Sequence, residues 1–197
     1  MNRPGITFIL FFSLLSLAYA QTDQQLSENK RRDLGLSLQY YPAGVITTIN
    51  AEFFYSPKAS MVYRIGGNFT DRQDFSEYND EETGLGFGGS VGYHKHFVLG
   101  QGEIIAGLNT DIWNMWIYWT NDIGEVNETE GQTYILVLQP WIESGYVYQP
   151  RNPRWHIGIT AGFGREINVI TDGKAVEQGW MLSLLLKAHY SIRPKNK

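Results

Sequence analysis

The sequence predicts an all-β protein: an eight-stranded antiparallel up-and-down transmembrane β-barrel. Three observations predict this fold. An apolar N-terminal segment is typical of an export signal, a series of two-residue alternations follows it, and the polar face of that alternation consists mostly of small residues. Successive side chains of a strand point to opposite faces, so a period of two marks a strand with one apolar face.

The composition excludes several classes of protein. The 197-residue chain is 43% hydrophobic, 14% aromatic and 18% charged, with no cysteine and a formal net charge of −4. The missing cysteine excludes a disulfide scaffold and thiolate metal sites. The balanced charge argues against a nucleic-acid partner, which would need a basic face. No pattern in the chain predicts a cofactor.

The N-terminal segment has the parts of a signal peptide at residues 1–20. Arg3 supplies the positive charge, Ile6–Leu17 is the apolar region, and Ala18-Tyr19-Ala20 matches an A-x-A cleavage site. The remaining chain divides into three predicted segments: a polar lead-in at residues 21–32, a barrel at residues 33–193 and a basic tail at residues 194–197.

Eight alternating runs follow the lead-in. In the first run Leu34, Leu36 and Leu38 share one face, while Gly35 and Ser37 take the other. Each run has about ten residues, which suits a tilted strand that crosses a bilayer. The eight runs lie at residues 34–41, 48–55, 61–69, 85–94, 104–112, 134–143, 155–163 and 180–190.

The connections between the runs alternate in length. Asp71–Thr83 and Thr120–Gly131 are predicted to be long polar loops, whereas Ser56–Ala59 and Pro150–Pro153 are predicted to be tight turns. Long loops at one end and short turns at the other are typical of bacterial outer-membrane barrels. An even number of strands returns both termini to the short-turn end, which would face the periplasm.

The polar face distinguishes a membrane barrel from a soluble one. It is rich in Gly, Ser, Asn and Thr, whereas a soluble exterior would carry many Lys and Glu residues. The charges near strand centres all fall on this face, and we predict that they form an ion-pair network that plugs the lumen: Glu52, Arg64, Asp111, Glu143 and Lys187. The alternative is that these residues line a narrow ion path.

Aromatic residues are predicted to form two belts at the strand ends, where a bilayer interface favours Trp and Tyr. The outer belt consists of Tyr40, Phe69, Trp116, Tyr118, Trp119, Tyr134 and Trp180. The inner belt consists of Tyr55, Tyr63, Tyr93, Phe97, Tyr146, Tyr148, Trp155 and Tyr190.

Together these features resemble the small eight-stranded outer-membrane barrels of Gram-negative bacteria, the OmpA/OmpX-like, porin-like group, over Leu34 to Ile192. The Ala20-Gln21 junction and the many Tyr and Asn residues are similar to barrel proteins of the Bacteroidota. The resemblance implies an outer-membrane location, contact with outer-membrane lipid and surface glycolipid, and help from the barrel-assembly machinery. The basic tail after Ile192 departs from the aromatic C-terminus of many members.

Three short motifs have a chemical and a structural interpretation. Gly84–Gly89 matches G-x-G-x-x-G, but alternation continues through it, which favours inward-facing glycines over a dinucleotide loop. His94 and His96 share a strand face and could bind a metal, yet no third ligand is near them in sequence. His189 and Ser191 are similar to the H-x-S of lipid A deacylases, although no acid follows to orient the histidine.

The predicted function is a structural or surface-interaction role in the outer membrane, without enzymatic activity and without catalytic, cofactor or metal residues. Acidic residues in the two long loops are expected to bind divalent cations shared with glycolipid phosphates. The alternatives are a narrow pore or conduit, an outer-leaflet lipid-modifying enzyme, and a soluble ligand-binding barrel. A conduit would be lined by Ile105, Val137, Trp141, Met181 and Leu185.

Overall fold

The computed structural model describes residues 31–73, 76–150, 152 and 154–192. The predicted signal peptide, most of the lead-in and the C-terminal tail lie outside these residues. The described chain forms nine strands: β1 (Arg32–Tyr41), β2 (Gly44–Ser56), β3 (Ala59–Gln73), β4 (Glu81–Leu99), β5 (Gly102–Asn121), β6 (Thr129–Tyr148), β7 (Trp155–Arg165), β8 (Ile167–Asp172) and β9 (Trp180–Ile192). Among these residues, no helix is long and apolar enough to cross a membrane.

The nine strands close into a ring of eight. Each strand pairs antiparallel with its neighbours, β5 pairs with β6, and β9 pairs with β1. β7 and β8 both pair with β6, and only Glu166 separates them, so they occupy one position in the ring. The predicted eight-stranded up-and-down barrel is therefore confirmed, with its seventh strand divided into two.

The apolar residues of the strands face outward. In β7, exposed residues such as Ile157 and Ile159 alternate with buried His156 and Thr160. Near the middle of the wall, the side chain of Leu36 is 63% exposed and that of Ile65 is 66% exposed. A soluble barrel would bury such side chains, because leaving them in water costs about 1.5–3 kcal/mol each. The soluble-barrel alternative does not describe this arrangement.

The aromatic residues at the strand ends mostly face outward with the aliphatic residues. Trp155 and Tyr190 contact each other at the inner end, with ring centroids 5.4 Å apart. Trp180 stacks on Phe163 at 5.2 Å near the outer end. The prediction that Trp119 belongs to the outer aromatic belt is wrong. Trp119 packs against the apolar cluster inside the barrel, because it lies an even number of positions after inward-facing Trp113 on β5.

The outer end of the barrel is the end that carries residues 42–43, 76–80, 122–128 and 173–179, and the opposite end is the inner end. The two loops predicted to be long are shorter than expected. β3 and β4 remain paired as far as Gln73 and Glu81, and β5 and β6 as far as Asn121 and Thr129. The polar residues that suggested loops are the ends of long strands, where alternation continues with charged side chains on the inner face.

The outer half of the interior is filled by an apolar cluster. Its members are Tyr41, Ile46, Trp113, Met115, Ile117, Ile135, Val137, Trp141, Val176, Met181 and Leu185. The inward glycines of the G-x-G-x-x-G segment make room for it, since a Cβ on Gly86 would overlap the sulfur of Met115 and one on Gly88 would lie 2.7 Å from Cε3 of Trp113. This placement favours the structural interpretation of the motif.

Candidate functional site: the charged lumen

The five residues predicted to plug the lumen all lie inside the barrel and are buried. They are Glu52, Arg64, Asp111, Glu143 and Lys187. The structure places them in two groups at different depths. Arg64 and Asp111 pair near mid-height, whereas Glu52, Glu143 and Lys187 lie closer to the inner end, according to the strand register.

The mid-height group is a neutral ion pair held by an aromatic residue. Nη2 of Arg64 lies 2.8 Å from Oδ1 of Asp111, and Nε1 of Trp141 donates to the same oxygen at 2.9 Å. The guanidinium carbon of Arg64 lies 4.8 Å from the centre of the Trp141 ring. Arg64 and Asp111 are almost fully buried, so each charge depends on the other for its stability in the barrel.

Glu143 anchors the second group. Its carboxylate forms an ion pair with Lys187 and accepts hydrogen bonds from Thr160 at 2.7 Å and Asn109 at 3.2 Å. Nε2 of His94 lies 3.4 Å from Oε2, the carboxylate oxygen that accepts from Asn109. His94 also reaches Glu52, with Nδ1 3.7 Å from Oε1. One imidazole therefore links the two glutamates.

Glu52 is surrounded by histidines. Nε2 of His96 lies 3.2 Å from Oε1 of Glu52, and Nδ1 of His189 lies 3.7 Å from Oε2. Ser60 donates a hydrogen bond to Oε1 at 2.5 Å. Alternation places His94, His156 and His189 on the inner face, but it does not give the register between strands that brings them together. The sequence interpretation of His94 and His96 as an isolated pair missed this cluster.

A third charged group closes the outer end. Arg72 pairs with Glu82 at 3.1 Å and with Glu166 at 2.5 Å, and it donates to the backbone oxygen of Glu177 at 2.9 Å. Arg72 and Glu82 were expected in an acidic loop, but both are buried on strands. The period of two that contains Asn68 and Thr70 continues to Arg72, and that continuation is the sequence signal for this position.

The segment at residues 173–179 folds into the outer end and contacts this group. Val176 is buried in the apolar cluster, and the backbone oxygen of Lys174 accepts a hydrogen bond from Thr133 at 2.9 Å. Nδ2 of Asn79 donates to the backbone oxygen of Ala175 at 3.2 Å. The segment thus acts as an inserted plug whose backbone satisfies polar groups of the mouth.

The residues proposed to line a conduit fill the lumen instead. Ile105, Val137, Trp141, Met181 and Leu185 are all buried, and four of them belong to the apolar cluster. Below Arg64, a cavity of about 10 Å³ lies between the glutamates and histidines. Such a volume is about that of one water or metal ion. Chemically, the lumen is suited to hold charge and to stiffen the wall.

Comparisons with known proteins give the fold. No protein-family model matches the chain, and no curated protein sequence matches it. The crystal structure of a major outer membrane protein from Thermus thermophilus is 13% identical, covers 83% of this chain and 99% of that one, and has a TM-score of 0.52. At this identity, the similarity shows the fold of an outer-membrane barrel and nothing finer.

Two other solved structures have lower TM-scores. The crystal structure of Neisserial surface protein A is 10% identical, covers 82% of this chain and 95% of that one, and has a TM-score of 0.49. That of Ail, the attachment invasion locus protein of Yersinia pestis, is 7% identical, covers 84% of this chain and 99% of that one, and has a TM-score of 0.46.

Proposed function

We propose that the protein is a structural or surface-interaction barrel of the bacterial outer membrane, in which the acidic loops of the outer end make the contacts. The observation that carries the proposal is the combination of an apolar outer wall with an interior filled by side chains. The wall fits a bilayer, whereas the filled lumen leaves the exposed loops as the surface available to partners. Membership of the OmpA/OmpX-like group, and of the Bacteroidota, stays a prediction.

Two adjacent loops at the outer end present carboxylates side by side. The backbone N–H of Asp122 donates to Oδ2 of Asp80 at 2.7 Å, and Nδ2 of Asn121 donates to Oδ1 of Asn79 at 3.1 Å. These bonds hold the loops together across a cleft of about 570 Å³, which Glu125 also lines. Oxygen ligands of this kind suit Ca²⁺ or Mg²⁺, and such an ion could also bind a phosphate of surface glycolipid.

The proposal is tested by binding of the barrel, in phosphatidylcholine nanodiscs, to vesicles that contain phosphorylated glycolipid. We expect Ca²⁺ to increase binding, and we expect the double variant Asp80→Asn, Asp122→Asn to lose most of that increase. Asp172→Asn is the matched control, since Asp172 is an exposed acid of the outer end that does not line the cleft. Equal binding by both variants would contradict a role for these two loops.

The two alternative functions, a narrow pore and a lipid-modifying enzyme, receive less support from the structure. A conduit needs open space along the axis, but the residues that would line it pack against one another. A lipid-modifying site needs its histidine near the outer leaflet, whereas His189 and Ser191 are buried near the inner end of β9. We expect no resolved single-channel conductance in a planar bilayer, and stable conductance steps would favour the pore.

A further inference from the structure

All four histidines of the chain lie inside the barrel. His94, His96, His156 and His189 come from three different strands, and each is buried. Imidazole can carry a positive charge near neutral pH and is the commonest metal ligand, so a buried group of four could serve either purpose. This group is independent of the acidic loops at the opposite end, so its role is a separate question from the proposed surface function.

The charges that face these histidines do not balance. The carboxylates are Asp33, Glu52, Glu103 and Glu143, and the permanent cations are Arg31 and Lys187. Among the residues that the structure describes, four negative charges thus face two positive ones. Because unpaired charge in a buried site is costly, two further positive charges would stabilise this group. One divalent cation or two protonated imidazoles would supply them.

The geometry provides ligands for a cation. Ligand atoms of Asp33, Glu52 and His189 all lie within 4.8 Å of one another, and all three residues are buried. Nδ1 of His189 is 3.7 Å from Oε2 of Glu52. Ligands of a tetrahedral zinc ion are about 3.3 Å apart, which follows from bonds of about 2.0 Å. A modest approach of these three side chains would therefore let them share one ion.

The surrounding structure leaves space for an ion and for its ligands. A cavity of about 10 Å³ is lined by two of the three ligands, Glu52 and His189, and also by Arg31, Lys187, His94 and His96. Two glycines make room for the imidazoles: a Cβ on Gly35 would overlap Cδ2 of His189, and one on Gly107 would overlap Cδ2 of His94. The neighbouring strands thus leave out side chains where these rings enter the lumen.

Arg31 and Glu103 connect the group to the solvent at the inner end. The side chain of Arg31 is 23% exposed and that of Glu103 is 14% exposed. Arg31 holds Asp33 through its Nε and Nη2 atoms, at 2.9 Å and 2.5 Å from Oδ2. Such a clamp orients a carboxylate, as the outer partners of metal ligands do. An ion would enter from this side, past the edge of the Arg31 guanidinium.

We propose that Asp33, Glu52 and His189 form a binding site for a divalent transition-metal ion at the inner end of the lumen. Two carboxylates and an imidazole suit borderline cations such as Zn²⁺, Fe²⁺ or Mn²⁺. His94 and His96 lie next to Glu52 and can complete the coordination or orient that carboxylate. An ion at this position would join β1, β2 and β9 across the inner end of the barrel.

The test is a titration of the purified, detergent-solubilised barrel, stripped of metal by a chelator, with Co²⁺ as a spectroscopic probe. We expect one equivalent of Co²⁺ to bind, with visible absorption bands, and Zn²⁺ to displace it. We expect His189→Gln to weaken binding at least about tenfold, because loss of an outer-shell partner alone typically costs 10–100-fold. Heat-dependent electrophoretic mobility verifies that each variant forms a closed barrel.

Ser183→Ala is the control, since Ser183 faces the lumen from the same strand as His189 but lies towards the outer end, away from the three ligands. It should retain the wild-type affinity. The absence of stoichiometric Co²⁺ binding to the wild type would overturn the proposal, as would equal loss in both variants. If His189→Gln does not form a barrel, X-ray absorption of the Co²⁺-loaded wild type decides, because a ligand shell without imidazole also overturns the site.

Discussion

At the scale of single residues, the interior depends on charges that have no access to bulk water. Arg64 and Asp111 are the clearest case, because Arg64 spans the lumen from β3 to β5 and Trp141 contacts both partners. Removing one member of such a pair leaves the other buried without compensation. Replacing both with apolar residues removes the desolvation cost as well as the attraction.

We therefore expect Arg64→Met to lower the free energy of unfolding by about 3–5 kcal/mol. The double variant Arg64→Met, Asp111→Leu should recover most of this loss. Urea unfolding in lipid vesicles, followed by tryptophan fluorescence, measures both values. A single variant as stable as the wild type would contradict the view that the pair is buried and mutually dependent.

The orientation of single side chains could be predicted from the sequence, whereas their contacts across the barrel could not. A period of two is enough to place each charged side chain inside or outside the barrel, as it does for Glu52 and Lys187, without any knowledge of strand pairing. It does not give the register between distant strands. His94 on β4 and His189 on β9 reach Glu52 on β2 from opposite sides in the strand order, and that proximity depends on the closed ring.

At the scale of elements, the seventh strand and the segment that follows it depart most from expectation. The strand divides at Glu166, whose side chain turns into the mouth to meet Arg72 and whose N–H donates to the backbone oxygen of Gly179 at 2.7 Å. The alternation in the sequence predicted only a connection between the runs at residues 155–163 and 180–190. Its inward fold depends on Arg72 and Val176, which no local pattern connects to one another.

We expect Arg72→Gln to release the segment at residues 173–179. Trypsin should then cleave after Lys174 several times faster than in the wild type, because Arg72 no longer binds the backbone of Glu177. Limited proteolysis with mass spectrometry measures the rate. Cleavage after Lys58, in the inner β2–β3 turn, is the internal control and should not change. Equal rates of cleavage after Lys174 in the variant and the wild type would contradict the view that Arg72 holds this segment in place.

At the scale of the whole molecule, the barrel inverts the usual distribution of apolar residues. Its outer wall is aliphatic at mid-height and aromatic near the strand ends. From the inner end to the outer end, the interior contains a group of histidines and carboxylates, the Arg64–Asp111 ion pair, the apolar cluster and the charged group around Arg72. The length of the alternating runs and their period of two were sufficient to predict which residues form the outer wall. The layered interior follows from closure, which sets the depth of each inward residue.

A charge on the outer wall should be costly. We expect Ile65→Arg to destabilise the folded barrel in lipid by about 2–4 kcal/mol, as found for arginine near a bilayer midplane. Ile123→Arg is the control, because Ile123 is an equally apolar residue exposed in the β5–β6 loop. Unfolding in lipid vesicles measures both variants, and similar small effects for the two would place the wall in water.

Whether the protein is an outer-membrane barrel is tested most directly by fractionation of cells that express this sequence, followed by electrophoresis of unheated and boiled samples. We predict recovery in the outer membrane and a mobility that shifts on boiling, because a closed barrel resists detergent until it is heated. Recovery in the soluble fraction, with no shift on boiling, would contradict a membrane barrel whose apolar wall faces lipid.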